Sequence, residues 1–130
     1  MTVHRLNTRD LNMLLRAFFV ACLYILSQPS IAVADDRPPF DLSDSTRVEA
    51  GRSRFNGSCA GYCHGGEGIG GRAPSFKGRG DDFDIDYAFR VISKGRKGSA
   101  AVMPRWDETF SPEEIWEIVA YLKFLSLQKN

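Results

Sequence analysis

The sequence predicts a small all-α domain of about three to five helices wrapped around a large non-protein group. Apolar side chains recur at helical spacing in three segments of residues 43–130, and each segment follows a residue that can cap a helix. No segment alternates convincingly between apolar and polar residues, as a half-buried strand would. The glycine-rich residues 57–80 leave the chain short of apolar side chains for a core of its own.

Residues 1–34 have the pattern of a cleavable secretory signal peptide and are not expected to belong to the fold. A basic stretch precedes the apolar run 17–26, and the small-residue triplet Ala32-Val33-Ala34 provides a cleavage site. The apolar run is shorter than the roughly 20 residues that a transmembrane helix needs. We therefore predict cleavage after Ala34 and a periplasmic protein, with retention of the segment as an anchor as the alternative.

Cleavage would leave a 96-residue chain with 14 basic and 15 acidic side chains. This near-neutral charge argues against a dedicated nucleic-acid binder, and the composition excludes a collagen-like, coiled-coil or disordered chain. The only soft metal-binding side chains that would remain are Cys59, Cys63, His64 and Met103.

The first predicted helix follows a flexible lead-in, residues 35–42. Ser43 or Asp44 can cap this helix, which is expected to run to about Asn56. Its inward face is formed by residues at helical spacing: Val48, Gly51 and Phe55. Residues 57–80 are predicted to be mostly loop, apart from a possible turn around the cysteines.

Two further helices are predicted. The acidic run 81–86 offers several caps for the second, and Gly95 is a natural stop. Its apolar residues at helical spacing are Tyr87, Ala88, Val91 and Ile92. A glycine-bearing loop then leads to Met103-Pro104. In the third helix Ser111, Pro112 and Glu114 form a capping box with proline at the first position. Its buried stripe comprises Ile115, Ile118, Val119, Leu122 and Leu125.

Cys59-Ala-Gly-Tyr-Cys63-His64 is the segment that carries chemistry. A disulfide would suit an exported protein but would leave His64 unexplained, and zinc would need a fourth ligand from elsewhere. A thioredoxin-like redox pair would need a βαβ context, which the sequence lacks. Covalent attachment of haem normally uses C-x-x-C-H, whereas this motif has one more residue. Residues four apart still share a helical face, so both thiols could reach one haem, although one thioether bond could also form alone.

With this motif the chain resembles the class I monohaem cytochromes c over nearly all of residues 35–130. The matching features are, in chain order, Gly51 with Phe55, the loop Ala73-Pro74-Ser75-Phe76, Met103-Pro104, and Ile118 to Leu125. The resemblance implies one haem c attached through Cys59 and Cys63, with His64 and Met103 as axial ligands. It also implies that the carbonyl of Pro74 accepts a hydrogen bond from His64. Lys94, Lys97 or water are the alternative sixth ligands.

The function that this resemblance implies is single-electron transfer in the periplasm by a monomeric protein that is not an enzyme. A dehydrogenase would be the donor, and another cytochrome or a terminal oxidase the acceptor. The Tyr-Cys-His-Gly and Met-Pro-Arg-Trp segments are similar to those of small cytochromes that serve quinoprotein alcohol or methanol dehydrogenases. The alternatives are a haem sensor or haem enzyme with an open sixth position, and a disulfide-bearing binding module without a cofactor. Basic side chains around Met103 would either steer a partner or merely be solvated.

Overall fold

The computed structural model describes Arg9, Asn12 and residues 37–98 and 101–129. The predicted signal peptide, apart from those two positions, lies outside the described residues and stays a prediction. The described α-helices are α1 (Ser45–Phe55), α2 (Ile85–Lys94) and α3 (Pro112–Ser126). The remaining elements are a π-helix, two 3₁₀ turns and two short strands: Asn56–His64, Gly66–Gly68, Gly80–Asp82, β1 (Arg96–Lys97) and β2 (Val102–Met103).

Helix α1 begins where the side chain of Asp44 accepts hydrogen bonds from the backbone N–H groups of Thr46 (2.8 Å) and Arg47 (3.2 Å). Of the two predicted caps, the structure therefore selects Asp44. Gly51 and Phe55 are the buried residues of α1. A Cβ atom at Gly51 would lie 1.8 Å from the carbonyl oxygen of Glu117, so the glycine lets α1 cross α3 with backbones in contact.

Helix α3 is the centre of the fold. Its capping box forms as predicted, with Ser111 and Glu114 each accepting a hydrogen bond from the other's backbone N–H. The predicted stripe is buried, and so are Trp116 and Tyr121. Trp116 stacks on Phe89 of α2 with ring centroids 4.4 Å apart, and the Tyr121 ring lies 5.4 Å from that of Phe55 in α1. Helix α3 thus packs against both other helices.

An ion-pair network joins α1 to α3 at their crossing. The buried carboxylate of Glu117 lies 2.8 Å from the guanidinium of Arg47 and 2.8 Å from that of Arg54. The same arginines reach Glu113 (2.6 Å) and Glu114 (3.0 Å). Two arginines on one carboxylate supply the compensation that a buried charge requires.

Helix α2 is capped at its start by Asp84, whose side chain accepts a hydrogen bond from the backbone N–H of Tyr87, and at its end by Gly95, where φ is +74°. Its core residues are Phe89 and Ile92. Tyr87, one of the apolar residues at helical spacing, is 45% exposed and lies at the edge of the apolar face. Helical spacing alone cannot tell which edge of an apolar face reaches the core.

The glycine-bearing loop after α2 contains a pair of strands that the sequence did not indicate. Strands β1 and β2 pair antiparallel, with Arg96 opposite Met103 and Lys97 opposite Val102. Strands of two residues are too short to show an alternating pattern. The all-α fold class is nevertheless confirmed, since the described residues are mainly helical. Among them no helix combines the length and apolar character needed to cross a membrane.

Candidate functional site

The segment that carries the two cysteines and the histidine is helical. Helix α1 continues into the π-helix Asn56–His64, where the sequence indicated a loop with a turn. The backbone N–H of Gly65 donates to the carbonyl of Ala60, five residues back, at 2.8 Å. This wider turn carries Cys59, Cys63 and His64 on one continuous element that is anchored to the helix crossing.

The two thiols are free and half-buried. Cys59 packs against the hydrophobic core, and burial raises the pKa of its thiol to about 11, with a smaller contribution from neighbouring Cys63. Because the two sulfurs are not bonded to each other, the structure gives no support to a disulfide. Among the described residues no three His, Cys, Asp or Glu side chains are grouped so that they could hold a metal ion.

The imidazole of His64 belongs to a cluster of three aromatic rings, in which Phe55 and Phe76 also contact each other at 6.1 Å. It stacks on Phe76 with ring centroids 4.9 Å apart and is tilted against Phe55 at 6.1 Å. Burial lowers the pKa of His64 below its ordinary value of 6.5, which favours the neutral imidazole that ligates metals. Within the described chain, its buried Nδ1 has no hydrogen-bond partner. Two free thiols and a neutral, incompletely bonded histidine on one helical segment fit a covalently attached haem.

A glycine-rich loop closes over the end of the π-helix. The carbonyl of Cys63 accepts a hydrogen bond from Ala73 (3.0 Å), and that of His64 accepts one from Gly70 (2.9 Å). Gly65 has φ +71°, and a Cβ atom there would lie 2.3 Å from the carbonyl oxygen of Gly70. Only glycine permits this approach, so the glycines predicted as loop residues in fact hold the loop against the cysteine segment.

Pro74 belongs to the same loop, but the hydrogen bond expected between its carbonyl and His64 is not formed in this structure, since Nδ1 of His64 has no partner among the described residues. Its role as a partner of His64 therefore stays a prediction. The side chain of this loop that stacks on the imidazole of His64 is that of Phe76, for which the sequence suggested no role. Phe76 is too far along the chain from His64 for a local sequence pattern to reveal the stacking, although it belongs to the segment Ala73-Pro74-Ser75-Phe76 that matches the family.

Met103 lies in β2, is half-buried, and packs against the same hydrophobic cluster as Cys59. Its backbone pairs with Arg96 of β1 and lies against the end of α2, where a Cβ atom at Gly95 would be 2.7 Å from the Met103 carbonyl oxygen. Farther along, the backbone N–H of Trp106 donates to the carbonyl of Ile92 at 3.1 Å. The segment that carries Met103 is thus fastened on both sides.

An ion-pair cluster secures the same segment from outside. The carboxylate of Asp107 accepts hydrogen bonds from Arg105 (2.8 and 3.0 Å) and Lys94 (2.9 Å). These cations hold the pKa of Asp107 well below its usual range, with Arg105 contributing most. Lys94, one of the alternative sixth ligands, is therefore engaged in an ion pair.

Comparison with known proteins connects this arrangement to one family. Residues 46–122 match the family described as cytochrome C oxidase, cbb3-type, subunit III. A cytochrome c550 of Pseudomonas aeruginosa is 36% identical over 90 residues, which cover 67% of this chain and 61% of the relative.

Two solved structures have a similar fold. Cytochrome CL of the marine methylotrophic bacterium Methylophaga aminisulfidivorans is 25% identical with a TM-score of 0.54, covering 65% of this chain and 57% of that one. The c-type cytochrome XoxG of Methylobacterium extorquens AM1 is 20% identical with a TM-score of 0.52, covering 65% and 58%. The chain thus spans 57–61% of the length of these relatives.

Proposed function

The chain belongs to the cytochrome c family, and on that premise we propose that it is a periplasmic carrier of single electrons. The family carries covalently attached haem c, which supplies the one-electron chemistry, and Cys59 and Cys63 are the thiols through which this chain holds it. The observation that carries the proposal is the position of the half-buried His64 directly after two free thiols on one helical segment.

We infer that His64 and Met103 are the axial ligands. A neutral imidazole and a thioether favour the ferrous state more than two imidazoles do, which raises the reduction potential. This fastening of the Met103 segment, by the pairing of β2 with β1 and by the hydrogen bond from Trp106 to Ile92, supports the ligation, because a ligand on a fixed backbone does not have to be ordered when it binds. The same fastening favours a closed carrier over the alternative of a sensor or enzyme with an open sixth position.

The proposed donor is a periplasmic dehydrogenase, of the quinoprotein alcohol or methanol class, and the proposed acceptor is another cytochrome or a terminal oxidase. The methylotrophic source of one structural relative supports this class of donor. Exposed Arg96 and Lys97 in β1, opposite β2 with Met103, suit docking of an acidic partner. We propose that the carrier is a monomer, is not an enzyme, and reaches the periplasm through cleavage after Ala34.

The sixth ligand can be tested in the full chain produced with a cytochrome c maturation system. Met103→Ala should lower the reduction potential and allow carbon monoxide to bind the reduced protein quickly, whereas the wild type should bind it slowly. Met103→His should restore slow binding while keeping a low potential, because it supplies a harder ligand. Val102→Ala, at an exposed neighbouring position, serves as the control and should behave like the wild type.

Fast carbon monoxide binding by the wild type would favour the sensor or enzyme alternative. A potential unchanged in Met103→Ala would exclude Met103 as a ligand. A colourless but folded wild-type product would refute the proposed function altogether.

A further inference from the structure

We propose that the π-helical turn absorbs the additional residue of the C-x-x-x-C-H segment, so that both Cys59 and Cys63 bond to the haem, and that Arg72 stacked on Tyr62 stabilises this turn. The proposal rests on the haem attachment of the proposed function but is independent of the electron-transfer partners and of the sixth ligand.

The hydrogen-bond spacing of a π-helix accounts for the additional residue between the cysteines. An α-helical hydrogen bond reaches back four residues and a π-helical one reaches back five, so a π-turn contains about one more residue. In C-x-x-C-H the thiols are three residues apart, slightly less than one α-turn. Here they are four apart, which is slightly less than one π-turn. The hydrogen bond from Gly65 to Ala60 shows that the wider turn lies across Cys63 and His64, where the additional residue has to be accommodated.

Contacts with the rest of the chain stabilise this turn. Extended π-helices are rare, so a stable one is expected to depend on its surroundings. On the inner side Ala60 is buried, and at the end the carbonyls of Cys63 and His64 accept hydrogen bonds from the loop. On the outer side the guanidinium of Arg72 lies 4.0 Å from the centroid of the Tyr62 ring. Tyr62 is 72% exposed, so this stack lies on the surface and is not part of the core.

The chemistry needs no partner beyond the haem itself. In each attachment a cysteine S–H bond and the π bond of a vinyl group break, while a C–S bond and a C–H bond form. Atoms and electrons balance without an oxidant, provided that both cysteines are thiols, as they are in the structure. Residues 35–130 contain only these two cysteines, so two attachments leave no free thiol in the processed chain.

The number of attachments can be counted directly. The haem-loaded full chain, produced with a maturation system and with its leader cleaved, is denatured, treated with iodoacetamide and weighed by mass spectrometry. Two thioether bonds predict the mass of chain plus haem with no alkylation. A haem-bearing chain with one alkylated cysteine would overturn this inference while leaving haem attachment intact, whereas a haem-free product would refute the proposed function.

The stabilising role of the Arg72–Tyr62 stack is tested by making the same substitution in two chains, one of natural length and one that lacks Gly61. In the natural-length chain, Arg72→Ala and Tyr62→Ala should each raise the ratio of singly to doubly attached product about two- to five-fold, the factor expected for an exposed cation–π contact. The exposed Arg79→Ala provides the matched control and should leave the ratio unchanged.

Deleting Gly61, which is exposed and has open space around it, restores C-x-x-C-H spacing and the α-helical register. In that background Arg72→Ala should no longer affect the ratio. An equal effect of Arg72→Ala in both backgrounds, or none in either, would overturn the role of the stack.

Discussion

Gly51→Ala is expected to destabilise the protein through the crossing of α1 and α3. The new Cβ atom would lie 1.8 Å from the carbonyl oxygen of Glu117 and 2.5 Å from its carbonyl carbon. Both atoms are backbone, so no side-chain rotation relieves the clash, and α1 must move away by about 1.5 Å to reach ordinary contact. That movement would also disturb the ion pairs of Glu117 with Arg47 and Arg54.

The expected change in the free energy of unfolding combines two opposing effects. Alanine in a helix interior is more favourable than glycine by about 1 kcal/mol. Overpacking typically costs about 1–3 kcal/mol, and this backbone clash lies at the upper end of that range. We expect a net loss of about 2 kcal/mol, which corresponds to a melting temperature lower by roughly 8–16 °C for a domain of this size.

The assay is thermal and urea unfolding of the haem-loaded chain, followed by far-ultraviolet circular dichroism. Gly57→Ala is the control, because it lies in the same helical run but has no atom within 4 Å of the added Cβ. Gly57→Ala should leave the free energy of unfolding unchanged or slightly raised. If Gly51→Ala proved as stable as Gly57→Ala, the close crossing inferred at Gly51 would be refuted.

Two further predictions concern charged groups. Glu117→Gln should lower the free energy of unfolding in urea by about 1–3 kcal/mol, because it leaves two partly buried arginines without their shared carboxylate. The control Glu113→Gln, at an exposed position, should lower it by less than about 1 kcal/mol. Equal losses in the two variants would contradict the role of burial. Asp107→Asn should destabilise the protein at pH 7. Since Arg105 and Lys94 lower the pKa of Asp107 in the folded state, its stabilising contribution is complete above its ordinary value of 3.8 and is lost as the pH falls through the lower folded value. The difference between Asp107→Asn and wild type in urea unfolding should therefore shrink on acidification, and a constant difference would exclude this linkage.

The ends of the helices could be predicted from the sequence because they depend on neighbouring residues. Ser111 with Glu114 and the stop at Gly95 are local hydrogen-bonding and backbone preferences, and the structure confirms both. The choice between Ser43 and Asp44 was not predictable, because both are good caps. In the structure the backbone N–H and hydroxyl of Ser43 instead donate to Asp41.

The π-helix could not be predicted from periodicity or composition. Its glycines are typical of a loop, and the hydrogen bond to the carbonyl of Ala60 leaves no signal in the sequence. The stability of the π-helix comes from hydrogen bonds to residues up to ten positions later in the chain. For the same reason, the stacking of Phe76 on His64 was missed. The hydrogen bond from His64 to the carbonyl of Pro74 stays a prediction.

The amino-acid sequence shows which chemical groups are available and in which order. Two cysteines, the adjacent His64 and the later Met103 indicate a haem protein, because thiol, imidazole and thioether have intrinsic affinities that do not depend on the fold. The helical form of the segment that holds the cysteines and His64 became apparent from long-range contacts in the folded chain. Side-chain chemistry is local, whereas the hydrogen bonds and packing that select a π-turn come from residues that folding brings together.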